Sequence, residues 1–239
     1  MSSNHHNDEV FHEKRKPKNP IKFKLQLNEE QKEAKSKILN NTLTLLAGKA
    51  GSGKTLLACQ IALEKLFMKE ASKVIITRPT VSKEDIGFLP GDLREKMDPW
   101  VQPIYQNMFA LYDKVKIEKL IEDDKIEIVP VSFMRGRTFL DSIIIVDEAQ
   151  NVTHEQMEMI VTRIGLRSKM IICGDDHQVD LKQRRDSGFR FLYSAARKIK
   201  NMIGVTLLQN HRDPIVDSLI EIYEEAGEKG ITNNNSRRK

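Results

Sequence analysis

A glycine-rich segment that directly follows a short apolar run is the feature that most constrains the fold of this chain. The apolar run, residues 42–47, predicts a buried strand, and the residues that follow Thr55 have the apolar pattern of a helix. Between them, Gly48-x-x-x-x-Gly53-Lys54-Thr55 matches the phosphate-binding loop pattern at every fixed position. Because this pattern has physical meaning between a strand and a helix, the sequence predicts an α/β domain that binds a phosphate group.

Each part of this loop, called the P-loop below (residues 48–55), has a physical role in phosphate binding. Its glycines let backbone N–H groups converge on the phosphates, and the N-terminus of the following helix adds the positive end of its dipole. Lys54, which we also count as catalytic, reaches the outer phosphates, and Thr55 offers its hydroxyl to Mg²⁺. We therefore predict ATP and Mg²⁺ as cofactors, with these binding residues: Gly48, Lys49, Ala50, Gly51, Ser52, Gly53, Lys54, Thr55 and Leu56.

A second motif is an aliphatic run, residues 143–146, that ends in two acids, Asp147 and Glu148. A bound Mg-nucleotide requires a carboxylate near the metal ion, and Asp147 is predicted to hold Mg²⁺ through water. Glu148 is predicted to polarise the attacking water, which favours hydrolysis over phosphoryl transfer to a small substrate. The alternative is that Asp147 only ends the strand and that Glu148 is a solvated acid at the start of a helix.

A third motif, Gly174-Asp175-x-x-Gln178, follows an apolar run at residues 170–173. Gln178 is predicted to orient the attacking water or to sense the γ-phosphate, which is the work of a glutamine in nucleotide switches. His177 is a lone histidine beside acids, for which we expect a surface or hydrogen-bonded role rather than metal binding. Together with the first two motifs, the segment resembles the Gly-Asp-x-x-Gln element of superfamily 1 helicase cores.

Alternating strand and helix patterns predict the fold class. Further apolar runs lie at residues 74–77, 126–129 and 205–208, with helical patterns between most of the runs. This alternation predicts an α/β domain with one parallel sheet and helices on both faces, whose ligand site lies beyond the carboxyl ends of the strands. The expected organisation is a flexible basic arm over residues 1–24, the domain over residues 25–228, and a flexible basic tail over residues 229–239.

The composition is that of a water-soluble domain with basic ends. Hydrophobic residues make up 39% of the chain and charged residues 31%, and the longest aliphatic run is too short for a membrane span, so we expect a cytoplasmic protein. Residues 1–24 and residues 233–239 each carry a net charge of +3. Together these two ends carry more than the total net charge of +5, so the rest of the chain has a net charge of −1. Cys59 and Cys173 lie in apolar patterns and are expected to be buried, reduced thiols.

With these motifs, the chain resembles the PhoH-like family of RecA-type ATPases over roughly residues 27–226. The resemblance rests on residues 147–151, on Leu181 after the third motif and on four further segments: residues 76–79, 87–93, 98–100 and 134–138. It implies a single RecA-like core, ATP hydrolysis, ring-shaped hexamers and a link to RNA or DNA. The chain departs from the family pattern at Lys49, where proline is usual, at residues 83–86, and in a basic string at residues 182–185.

The resemblance also bears on which arginine completes the site. Superfamily 1 helicases use two RecA-like domains in one chain, and an arginine of the second completes the site of the first, whereas this chain has one such domain. We therefore expect the arginine in trans, from a neighbouring subunit, with Arg212 as the first candidate. Arg212 lies between a strand and the amphipathic pattern of residues 215–223. The alternative is an ion pair of Arg212 with Asp213 or Asp217.

Three other arginines are candidates for contacts with nucleic acid or with the next protomer. Arg135 and Arg137 flank Gly136 in a predicted loop, where they meet phosphate, nucleic acid or a neighbouring subunit, or else belong to a solvated turn. Arg78 follows a strand and is suited either to single-stranded nucleic acid or to a structural ion pair.

Gln31 has two competing interpretations. It matches the glutamine that superfamily 1 helicases place ahead of the P-loop to read adenine, and it also occupies the N3 position of a capping box that begins at Asn28 and opens a helix to about Leu39. We expect one side chain to serve only one of these roles. Four aromatic residues offer stacking surfaces for bases: Phe88, Trp100, Tyr105 and Phe109. The helical spacing of the last three favours the alternative that they mark a buried or subunit-facing stripe of a helix.

The leading hypothesis is an ATPase that forms an oligomeric ring of identical subunits and couples hydrolysis to remodelling of RNA or single-stranded DNA. The alternative is an ATP-dependent switch or assembly factor that acts on a protein partner without nucleic acid. A small-molecule kinase is disfavoured by Glu148 and by the lack of an arginine-rich lid pattern.

Overall fold

Six strands form one sheet in which every neighbouring pair is parallel. The computed structural model describes residue 21 and residues 23–79, 93–175, 178–181 and 183–228. The strands run in the order β3-β2-β4-β5-β1-β6. Their bounds are β1 (Leu43–Gly48), β2 (Lys73–Thr77), β3 (Ile126–Ile128), β4 (Ser142–Val146), β5 (Lys169–Gly174) and β6 (Met202–Leu207). The predicted α/β fold with one parallel sheet is confirmed.

Seven helices connect the strands within the described part of the chain. They are α1 (Glu29–Asn40), α2 (Lys54–Phe67), α3 (Leu93–Leu111), α4 (Lys114–Glu122), α5 (His154–Val161), α6 (Gly188–Ala195) and α7 (Pro214–Glu228). The predicted capping box at the start of α1 is present, since Asn28 Oδ1 accepts from the backbone N–H of Gln31 at 2.7 Å. Among the described helices, none has the length and apolar content needed to cross a membrane.

Helices cover the sheet on both faces, so adjacent residues of one strand enter different cores. In β1, Leu46 packs into a core built with α1 to α4, whereas Leu45 packs into a core built with α5 and α6. Every residue of β4 is buried, as expected for a central strand of a sheet covered on both sides. Cys59 and Cys173 are buried free thiols, as predicted, and burial raises the pKa of both.

Two details differ from the sequence-based expectations. The buried stripe of α3 is formed by four aliphatic side chains rather than by the aromatic residues: Val101, Ile104, Met108 and Leu111. Tyr105 and Phe109 are partly buried beside this stripe with ring centroids 6.2 Å apart, and the side chain of Trp100 lies outside the described part. Packed structure also begins before residue 25, because the Phe23 ring lies 6.2 Å from that of Tyr112.

Several predicted features lie outside the described residues. They are Phe88, His177, the segments 83–86 and 87–92, Lys182, the tail over residues 229–239 and the arm up to residue 20.

The strand order determines where the site can form. β5 lies between β1, which leads into the P-loop, and β4, which leads into Asp147 and Glu148. Because all three strands are parallel, their carboxyl ends lie at one edge of the sheet. The three sequence motifs are therefore adjacent in space, although they are spread over more than a hundred residues of chain.

The last helix leaves an apolar face exposed. Side chains at positions i, i+4, i+7 and i+8 of α7 lie on one helical face and are 47–71% exposed: Ile215, Leu219, Ile222 and Tyr223. Leu208, at the end of β6, is 82% exposed. An exposed apolar face of this kind is typical of a surface that contacts another protein chain.

Candidate active site

A cavity of about 730 Å³ lies where the strand ends meet. This volume is in the range of small-molecule and cofactor sites. Most of the predicted site residues line it: Gln31, Ala50, Gly51, Gly53, Lys54, Thr55, Leu56, Asp147, Glu148, Gln178 and Arg212. Of the other predicted binding residues, Ser52 is buried in the loop, whereas Gly48 and Lys49 line a separate cavity of about 270 Å³.

The P-loop takes a path that only glycine permits at two of its positions. Gly51 and Gly53 have φ angles of 89° and 81°, in the left-handed region. A Cβ atom on Gly51 would lie 2.5 Å from Asn210 Oδ1, and one on Gly53 would lie 2.7 Å from Gln31 Nε2. The two glycines therefore provide both the backbone conformation and the close approach of α1 and of the segment after β6.

Lys54 is the first residue of the 14-residue helix α2, so its ammonium group lies at the positive end of the helix dipole. Its Nζ donates to the carbonyl oxygens of Gly48 at 2.7 Å and Lys49 at 2.9 Å. These carbonyls hold the ammonium group at the P-loop. A phosphate oxygen can replace them as the hydrogen-bond acceptor of Lys54.

Thr55 and Asp147 join the P-loop to the end of β4. Thr55 Oγ1 donates to Asp147 Oδ1 at 2.7 Å, and Asp147 is only 5% exposed. Burial raises the pKa of Asp147, and the Thr55 hydrogen bond opposes that change. A hydroxyl and a carboxylate side by side are the hard oxygen ligands that Mg²⁺ prefers when phosphates and waters complete its shell. The residues therefore fit the predicted metal.

Glu148 has an unusual backbone conformation for a residue with a side chain. Its φ of 51° and ψ of 37° are left-handed, a conformation that costs roughly 1–2 kcal/mol outside glycine and is concentrated at functional sites. Its carboxylate accepts from Gln150 Nε2 at 2.6 Å through Oε2 and lies 3.4 Å from Arg78 Nη2 through Oε1. Oε2 is thus held by a short hydrogen bond and Oε1 by a long contact, in a residue that lines the cavity.

Gln150 is a site residue to which the sequence analysis assigned no role. It is 1% exposed, and its Oε1 accepts from the backbone N–H of Asp175 at 3.0 Å. Its amide therefore bridges the end of β4 to the end of β5. The local pattern contained no separate signal for this bridge, because the partner lies 25 residues away.

Gln178 is exposed and lines the cavity, in a turn closed by its backbone N–H and the Asp175 carbonyl at 3.2 Å. The structure thus places the predicted water-orienting or sensing glutamine at the same cavity as Lys54 and Glu148.

Arg212 lies against the P-loop of its own chain, and its expected service to a neighbouring subunit stays a prediction. A Cβ on Gly51 would lie 2.8 Å from Arg212 Cγ, and Arg212 lines the cavity. The segment is anchored there because the His211 backbone N–H donates to the Gly51 carbonyl at 3.1 Å. Within the described side chains, no ion pair joins Arg212 to Asp213, and the Asp217 side chain is outside that set.

Gln31 has the predicted capping role and also lines the cavity, while its contact with adenine stays a prediction. Its Oε1 accepts from the Asn28 backbone N–H at 3.2 Å and so completes the capping box. Its Nε2 lies 3.5 Å from His211 Nε2 at the cavity wall, where it can meet a nucleobase. His211, which the sequence analysis also missed, lies 3.2 Å from Asn28 Nδ2.

The remaining arginine candidates divide into three cases. Arg137 donates to both carboxylate oxygens of Glu127 at 2.8 and 3.1 Å and lies 4.7 Å from the centre of the Phe139 ring, so its role is structural. This pairing lowers the pKa of Glu127. Arg135 is exposed, two residues from Phe133, which is 56% exposed. Arg78 forms the ion pair with Glu148, which agrees with one of its two predicted roles.

A family model described as "PhoH-like protein" matches residues 25–224. The chain belongs to the PhoH-like protein family. The PhoH-like protein of Bacillus subtilis (strain 168) is 41% identical over 201 residues, which are 82% of this chain and 62% of the relative. The PhoH-like protein of Synechocystis sp. (strain PCC 6803) is 40% identical over 192 residues, which are 79% of this chain and 58% of the relative. The chain spans about three-fifths of the length of these relatives.

Two solved structures align with much of this chain at low sequence identity. The Pif1 helicase from Candida albicans has a TM-score of 0.45 and 18% identity, over 84% of this chain and 44% of that one. The UvsW helicase from bacteriophage T4 has a TM-score of 0.48 and 13% identity, over 77% of this chain and 61% of that one. With its P-loop, its acid pair and its family, this PhoH-like chain is a P-loop α/β domain with one parallel sheet.

The close approach of the Gln31 side chain to Gly53 leads to a prediction for nucleotide binding. Gly53→Ala places a methyl group against Gln31 Nε2, and we expect the affinity for a fluorescent Mg-nucleotide to fall by about tenfold or more, which corresponds to about 1.4 kcal/mol. Gly136→Ala is the matched control, because Gly136 also has a left-handed φ, 78°, but a Cβ there meets no described atom within 4 Å. Equal affinity of the two variants would contradict this account of the P-loop.

Proposed function

We propose that this PhoH-like protein is a Mg²⁺-dependent ATPase that works as an oligomeric ring of identical subunits and couples hydrolysis to remodelling of RNA or single-stranded DNA. The observation that carries the hydrolytic part is the position of the Glu148 carboxylate. It lies at the same cavity as the P-loop lysine and directly follows the buried Thr55–Asp147 pair. A water-activating acid beside a phosphate-binding loop supports hydrolysis rather than storage of the nucleotide.

In the proposed mechanism, each residue of the cavity has one task. Thr55 and Asp147 hold Mg²⁺, which neutralises charge that develops on the phosphate oxygens when it is bound. Lys54 exchanges its bonds to the P-loop carbonyls for bonds to the outer phosphates. Glu148 accepts a proton from the attacking water, and Gln178 and Arg212 contact the terminal phosphate. Gln31 Nε2 donates to the base.

Arg78 supports the link between hydrolysis and a polyanion. It follows β2, whose Thr77 pairs with Val146 of β4, so the guanidinium lies at the strand edge beside Glu148. A nucleic-acid phosphate that competes for Arg78 changes the environment of the catalytic carboxylate directly. The exposed Phe133 and Arg135 provide a stacking surface and a positive charge, the two elements used to bind single strands without sequence preference.

The exposed face of α7 supports association with another protein chain. Its four apolar side chains suit a subunit contact in a ring of identical copies, which is the assembly that family resemblance implies. The same face also favours the second candidate function, an ATP-dependent switch that binds a different protein and requires no nucleic acid. Stimulation of hydrolysis by a single strand separates the two functions.

Two substitutions test the hydrolytic mechanism. Lys54→Ala removes the phosphate-binding ammonium group, and we expect it to abolish binding of Mg-ATP. Glu148→Gln keeps the size of the side chain and one acceptor oxygen but removes the base, so we expect unchanged binding and phosphate release about 10²- to 10⁴-fold slower. Phosphate release and nucleotide affinity are measured on the same preparations. Normal turnover by Glu148→Gln would contradict the role of Glu148.

Arg78→Ala tests the coupling to nucleic acid. If the Arg78–Glu148 contact transmits binding of a single strand, wild-type phosphate release rises with single-stranded RNA or DNA, and the variant loses that stimulation. Arg167→Ala is the control, since Arg167 pairs with Asp141 before the amino end of β4, at the opposite edge of the sheet. Stimulation is measured over a range of salt concentrations, because contacts with phosphates weaken as salt increases. An unstimulated wild-type protein at every salt concentration would favour the protein-binding switch.

A further inference from the structure

Gln150 is buried beside the proposed catalytic carboxylate, and both ends of its amide are engaged. It lies in the short helical turn Ala149–Asn151 and is 1% exposed. Its Nε2 donates to Glu148 Oε2 at 2.6 Å, and its Oε1 accepts from the backbone N–H of Asp175 at 3.0 Å.

The orientation of this amide follows from its partners. The backbone N–H of Asp175 can only donate, so the atom that faces it must be the amide oxygen. The nitrogen then faces Glu148, whose carboxylate can only accept when ionised. The two contacts therefore determine each other, and a flipped amide would lose both hydrogen bonds.

Glu148 requires such a partner because its side chain is otherwise poorly confined. The carboxylate is 38% exposed, and its Oε1 has only a long contact, 3.4 Å, with Arg78. A general base must lie within hydrogen-bond reach of the water that it activates, and a displacement of about 1 Å can cost roughly a hundredfold in rate. The short Gln150 bond fixes the second oxygen and leaves the remaining lone pairs of the carboxylate able to accept a proton.

We propose that Gln150 is a positioning residue that holds the Glu148 carboxylate in its reactive orientation and ties it, through the Asp175 backbone, to the loop that carries Gln178. This inference rests on the proposed ATPase function. Asp175 N–H bonds to Gln150, and the Asp175 carbonyl accepts from Gln178 N–H at 3.2 Å, so one chain of bonds joins Glu148 to the Gln178 turn. Glu148 and Gln178 are the two residues expected to act on the attacking water, and these bonds hold them in a fixed relative position.

The substitution Gln150→Glu separates positioning from simple packing. Glutamate has the same shape and keeps an oxygen to accept from Asp175, but it replaces the donor to Glu148 by a second carboxylate. If Gln150 only fills the core and satisfies Asp175, the new buried acid lowers stability but leaves kcat of the folded variant near the wild-type value. If Gln150 positions Glu148, kcat falls by about tenfold or more while KM for Mg-ATP stays within about threefold of wild type, since the loss appears at the reacting water and not in binding.

The control is a second buried glutamine. Gln60 in α2 is 7% exposed, and Gln60→Glu introduces a buried acid that does not touch the cavity. Thermal unfolding of both variants measures the general cost of the new acid. We expect kcat of folded Gln60→Glu to remain near the wild-type value. If Gln150→Glu proves unfolded, Gln150→Met replaces it, with the same expected loss of kcat.

A double-mutant cycle shows whether Gln150 acts through Glu148. In the Glu148→Gln background there is no base to position, so adding the Gln150 substitution should slow single-turnover phosphate release by less than about threefold. A further loss as large as that in the wild-type background would show that Gln150 acts elsewhere and would overturn the proposal. So would a folded Gln150→Glu variant with wild-type kcat. A wild-type protein that binds Mg-ATP but releases no phosphate would instead contradict the proposed function itself.

Discussion

The hydrogen bond from Thr55 to Asp147 joins the two halves of the site, and the other contacts are arranged around it. Thr55 belongs to the first turn of α2, whereas Asp147 follows β4, and β5 lies between the strands that lead to them. The bond is 2.7 Å long, and it opposes the rise in the pKa of Asp147 that burial of this carboxyl causes. A buried carboxylate is costly unless it has a donor or a cation beside it. Thr55 provides this donor to Asp147, and the resulting pair of a hydroxyl and a carboxylate is suited to hold Mg²⁺.

Local sequence was sufficient to predict the sheet and the residues of the P-loop. The aliphatic runs are short and rich in β-branched residues, and each ends in a turn, so the six strands could be recognised without knowing their partners. The P-loop could also be recognised from local sequence, because its backbone conformation favours glycine at fixed positions. Gly51 and Gly53 show this preference through their left-handed φ angles. Parallel order then implied that the motifs would meet at one edge of the sheet.

The contacts that the sequence did not predict join residues far apart in the chain. Arg212 lies against Gly51, more than 160 residues away, because the segment after β6 returns over the P-loop. Arg137 is paired with Glu127 across a turn, and nothing in its flanking residues distinguishes it from the exposed Arg135. Gln150 could be recognised only once β4 and β5 were known to be neighbours. Each case depends on packing rather than on periodicity.

The exposed face of α7 and the buried nucleotide site have different consequences for assembly. Arg212 lies against the P-loop of its own chain, a position from which it can serve its own cavity. Association through α7 can then control the arrangement of subunits without completing each cavity. In the proposed ring, this association would arrange neighbouring sites relative to a bound strand, and each cavity would use the Arg212 of its own chain.

Phosphate release by mixed variants tests most directly whether one chain holds the complete site. Lys54→Ala and Arg212→Ala each disable the cavity through a different residue. If both residues serve the same cavity, every subunit in a mixture remains defective, and the account predicts a rate equal to the weighted mean of the two variants alone. A rate that rises above this mean in mixtures shown to co-assemble would mean that Arg212 of one subunit serves the P-loop of another, and would contradict the account.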